Sequence, residues 1–84
     1  MESISGWPWQ QTLATVEKGD VVQIQEILFG MIKDHLQGMG IRKGSVLECL
    51  DNRSNEILVR LPNGETEVIG WDHAWFVCVS RTGR

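Results

Sequence analysis

From Gly19-Asp20 a strand pattern begins, in which Val22 and Ile24 alternate with Gln23 and Gln25 and Ile27 follows. A period of two belongs to a strand with one buried face. The rhythm then changes. After a break at Leu28, Phe29 and Gly30, the apolar residues Met31, Ile32, Leu36 and Met39 recur at spacings near three and four, with Lys33, Asp34 and Gln37 on the other side. That spacing predicts a helix of two to three turns. Gly38 and Gly40 flank its end, since a glycine at positive φ is the common helix terminator. The stretch from Leu36 through Gly44 therefore hands a short helix directly to a strand.

Three short strands come next. Leu47 and Cys49 open the first, and Asp51-Asn52-Arg53-Ser54-Asn55 supplies a polar turn. Ile57, Val59 and Leu61 alternate through the second, and Pro62-Asn63-Gly64-Glu65 reverses the chain into a third, Thr66 to Ile69. Asn-Gly between alternating runs predicts a hairpin turn with positive φ at both residues. Gly70 to Ala74 reads as one turn of helix or 3₁₀ structure, with Asp72 or its neighbour available to cap free N–H groups. Phe76 to Val79 is the last strand. The fold class expected is mainly β: a small barrel of about five strands, one short inserted helix and a one-turn helix before the final strand. Closure suits so short a chain because it removes exposed strand edges.

Residues 1–15, with Trp7-Pro8-Trp9, show neither period and read as a poorly ordered arm. Residues 16–80 read as the barrel and 81–84 as a polar tail. At 84 residues, 42% hydrophobic and 23% charged, the chain is one ordinary globular domain. It has no run near the ~20 apolar residues of a membrane span, so direct membrane insertion is not expected. Its start lacks a secretory signal, and the expected location is cytoplasmic. A net charge of −3 argues against nucleic acid as a partner, because that grip rests on lysine and arginine at phosphates.

Catalytic machinery is not legible. The chain has two histidines, no nucleophile turn and no phosphate loop, since Lys43-Gly44-Ser45 lacks the upstream glycine spacing. Cys49 and Cys78 sit in apolar runs and read as packing residues. A metal site sketched from His35, His73, Cys49 and Cys78 lacks the closely spaced ligand pairs of a zinc site, so neither metal nor cofactor is expected. Leu28, Phe29 and Met31 form an apolar cluster where the helix opens. Trp71 and Trp75, four apart, share one face if their turn is helical. They read either as a plug of the barrel end or as an exposed anchor for a partner.

Leu36, Met39-Gly40-Ile41 and Gly44 resemble the Leu-x-x-Leu-Gly-Leu-x-Pro-Gly signature of the FeoA family, the small partner of the ferrous-iron transporter FeoB. Leu47, Cys49, Ile57, Val59 and Gly64 follow its strands and hairpin. Ile69, Asp72, Ala74, Val77 and Val79 follow its closing pattern, so the likeness runs from about Val16 to Val79. Lys43 stands where that family usually has proline, and His35 where arginine is frequent.

The resemblance implies an SH3-like barrel and a non-enzymatic accessory protein that binds the cytoplasmic GTPase part of a FeoB-type transporter. Leu28, Phe29, Met31, Trp71 and Trp75 are the residues expected to make that contact. The competing expectation is a metal-responsive regulatory module that takes a transition metal ion or a peptide. Weak self-association through the same apolar loop is a third.

Overall fold

The computed structural model describes residues 11–82. It contains β1 (Gln11–Thr12), a 3₁₀ turn (Leu13–Thr15), β2 (Val21–Ile27), α1 (Gly30–Gln37), β3 (Val46–Asn52), β4 (Glu56–Arg60), β5 (Thr66–Gly70), α2 (Trp71–Ala74) and β6 (Val77–Arg81). The six strands form one antiparallel sheet in the order β1-β6-β2-β3-β4-β5.

The five strands read from the alternation are β2 to β6. The sixth, β1, pairs Gln11 with Val79 and Thr12 with Cys78, and two polar residues carry no period by which to find it. Residues 11–15, read as part of the arm, thus run along β6 and into a turn that buries Leu13 and Ala14. Asn52 fastens this segment: its Nδ2 donates to the carbonyls of Ala14 at 3.2 Å and Val16 at 2.6 Å. Trp7-Pro8-Trp9 lies outside the described residues.

Eighteen apolar side chains make one core, and among the described residues no polar or charged residue is buried with them. Val22 and Ile24 point inward two apart, whereas Ile27 follows after three. A register shift between Ile24 and Glu26 against β6 absorbs the odd residue and returns Ile27 to the core. A second shift between Cys49 and Asp51 in β3 does the same opposite β4.

The helix stop expected at the glycines has a defined geometry. The Ile41 N–H donates to the Leu36 carbonyl at 2.9 Å, and the Gly40 N–H to the Gln37 carbonyl at 3.0 Å. This pair of bonds is the Schellman motif. Gly40 sits at φ +87°, and Leu36 and Ile41, which flank it, are both fully buried. The cap therefore does two jobs, satisfying the last carbonyls of α1 and folding the chain so that Ile41 packs beside Leu36.

The β4–β5 reversal differs from the expected two-residue turn. The Gly64 N–H donates to the Leu61 carbonyl at 2.9 Å, and the Leu61 N–H to the Glu65 carbonyl at 2.7 Å. Positive φ is confined to Gly64. Pro62, whose ring fixes φ near −65°, supplies the second residue of an ordinary turn, and Gly64 takes the left-handed position after it. Asp72 also departs from expectation: the N-cap of α2 is Gly70, and no side chain caps the helix.

A methyl group at Gly40 would meet Leu61 at an ordinary 3.5 Å, so the cost of Gly40→Ala is backbone strain alone. Urea denaturation is expected to show a loss of about 1 to 3 kcal/mol. Leu36→Ala, which empties a fully buried site, is expected to lose about 2 to 5 kcal/mol in the same measurement.

Candidate interaction surface

Only Ile32 and Leu36 of α1 are buried. With two anchors the helix lies on the sheet, and everything on its other faces meets solvent. Its entry is set by β2, where the Leu28 N–H donates to the Phe76 carbonyl at 2.9 Å. Phe29 then turns the chain at φ 69° and ψ 125°. Among the described residues it is the one non-glycine residue with positive φ. Such a conformation costs of order 1 to 3 kcal/mol and gathers at functional positions.

The consequence is an apolar ridge. Phe29 is 63% exposed and Met31 79%. The Phe29 ring meets Phe76 edge-on, with centroids 5.1 Å apart and planes at 79°. Leu28, Trp75 and Phe76 are also exposed. Seven large hydrophobic residues are exposed among those described, and five of them are these; Val46 and Val68 are the others. Scattered apolar surface is ordinary, and it is clustering of such residues that makes a surface a candidate for contact.

The two tryptophans differ in burial. Trp71 is half-buried and packs against the core, and Trp75 is the exposed member. Their rings stand at 81° with centroids 6.0 Å apart, so Trp71 props Trp75. The Trp71 Nε1–H is buried without an acceptor among the described residues. Phe76 was not among the residues singled out from sequence. Its signal was present, since an alternation that turns Val77 and Val79 inward leaves Phe76 outward.

The four residues of the metal sketch separate: Cys49 is buried in β3, Cys78 half-buried in β6, and His35 and His73 lie on α1 and α2. Among the described residues no three His, Cys, Asp or Glu side chains converge. The histidines alone meet, with ring centroids 4.8 Å apart. Burial pushes the Cys49 thiol above its ordinary range, with a smaller upward push from the carboxylates of Asp20 and Asp51. A shallow apolar groove lies elsewhere, lined by Val21, Val46, Leu61 and Pro62 and edged by Glu48 and Arg60, whose side chains pair at 3.4 Å.

A family model described as the FeoA domain matches residues 11–81. The crystal structure of an iron uptake regulatory protein, FeoA, has a TM-score of 0.77 at 25% identity, covering 83% of this chain and 95% of that one. A manganese-dependent transcriptional repressor solved with manganese has a TM-score of 0.79 at 22% identity. There the match covers 86% of this chain and 36% of the repressor, a likeness of fold. The architecture is SH3-like, as expected, and the family match starts five residues before the boundary read at Val16. Among curated proteins none matches.

Two outcomes follow from the geometry. Glycine normally costs stability relative to alanine, but at position 29 the order inverts, because only glycine relieves the positive φ. Phe29→Gly is expected to be about 1 kcal/mol more stable than Phe29→Ala in thermal melts. For Cys49, a thiol whose folded pKa is raised stabilises the fold below the unfolded value of about 8.5, and that contribution is lost as pH rises through the folded value. Melting temperature is expected to fall through this alkaline window less steeply in Cys49→Ala, and thiol reagents are expected to label Cys78 well before Cys49.

Proposed function

The chain belongs to the FeoA domain family, and from that membership we propose that it is an accessory module of ferrous-iron transport, acting by contact and not by turnover. Its partner in this reading is the GTPase part of a FeoB-type transporter on the cytoplasmic side of the membrane. Among its own described residues no helix is long and apolar enough to cross a bilayer. The contact is made by Leu28, Phe29, Met31 and Trp75, joined by Phe76 and backed by Trp71. The carrying observation is Phe29, a 63% exposed aromatic held at positive φ. Such a side chain gains nothing for the fold by standing in water, and a partner that covers it recovers its apolar area at little ordering cost.

Aromatic residues dominate affinity at interfaces, with single truncations commonly costing about 2 kcal/mol or more. Titrating the full chain into the cytoplasmic GTPase domain of a cognate transporter by calorimetry is expected to give saturable binding. Phe29→Ala and Trp75→Ala are each expected to weaken it by about thirtyfold, while Val68→Ala, on a different face, leaves it unchanged. Absence of binding at high micromolar concentration, or equal affinity of all variants, would overturn the reading.

A further inference from the structure

The contact between His35 and His73 is explained neither by the core nor by the ridge. His35 is exposed on α1 and His73 half-buried on α2, 38 positions apart in the chain, yet their ring centroids stand 4.8 Å apart with planes at 61°. Imidazole is the commonest side-chain ligand for a transition metal.

The spacing fits chelation. With metal–nitrogen bonds of about 2.1 Å, each ring centre lies roughly 3.2 Å from the ion, and a near-tetrahedral angle separates the two centres by about 5 Å. We propose that His35 and His73 together form a two-histidine site for a divalent transition-metal ion that bridges α1 and α2.

Imidazole selects zinc, nickel or copper over magnesium and calcium, which require oxygen ligands. No third protein ligand converges among the described residues, so water completes the coordination and the ion exchanges readily, unlike a four-ligand structural zinc. Asp34 and Asp72, the exposed sequence neighbours of the two histidines, add negative charge nearby. The bridge would tie together the two elements that carry the apolar ridge. It stands on the histidine geometry alone, so its failure and that of the partner reading are separable.

The test is a zinc titration of the full chain, followed by calorimetry and by the ring-proton resonances of both histidines, with nickel as a second probe and magnesium as control. One zinc per chain is expected, with both histidine rings shifted, a zinc-dependent rise in melting temperature, and no response to magnesium. His35→Gln and His73→Gln alter solvent-accessible side chains and are expected to melt like the native chain without metal. Each is expected to weaken zinc binding about tenfold or more and to abolish the rise in melting temperature. No saturable binding, binding unaffected by either variant, binding lost instead in Cys78→Ser, or one ion per two chains would each overturn the proposal.

Discussion

The burial of Leu36 and Ile41 on either side of Gly40 is the constraint from which the rest of the molecule follows. Those two side chains belong to one core, but the helix that carries Leu36 must stop before Ile41 can turn back into it. Only a residue free to take positive φ closes that turn with the carbonyls satisfied. Once the stop is fixed, α1 has one way to lie on the sheet. Its N-terminal end and its outer face then point away from the barrel, carrying Phe29, Met31 and His35 into solvent.

The core holds no polar or charged residue among those described, so the polar and charged side chains of the described residues lie toward the surface. There the two short helices meet at one end of the sheet: Phe29 on Phe76, His35 on His73, Trp71 under Trp75. The strain at Phe29 and the buried indole N–H of Trp71 are both borne at this end, while the strands behind it follow regular pairing apart from two register shifts. Backbone strain of the kind seen at Phe29 gathers at functional positions, while a further buried polar atom without a partner among the described residues, the Thr12 Oγ1, lies in β1.

Much of this was legible because period and turn chemistry agreed. Val22, Ile24, Leu47, Ile57, Val59, Val77 and Val79 all sit where alternation put them, and Gly40 takes the φ that its place after a helical run demands. The failures have physical causes. β1 is two polar residues whose strand character comes entirely from pairing with β6, a long-range effect with no local trace. Asn63 did not need positive φ because Pro62 had already shaped the turn. At the ridge, Leu28, Phe29, Met31 and Trp75 were visible as apolar residues at breaks in the pattern. Their union with Phe76 was not, since it depends on how β2 and β6 lie side by side. The meeting of His35 with His73 was hidden for the same reason.

The central claim is that the α1–α2 end is where this barrel meets other proteins. Amide chemical-shift mapping of the full chain upon addition of a transporter's cytoplasmic GTPase domain tests it directly. The account predicts perturbations concentrated at residues 28–35 and 71–76, with the β3–β4–β5 face unmoved. Perturbations centred instead on Val46, Arg60 and Pro62, or none at saturating partner, would contradict it.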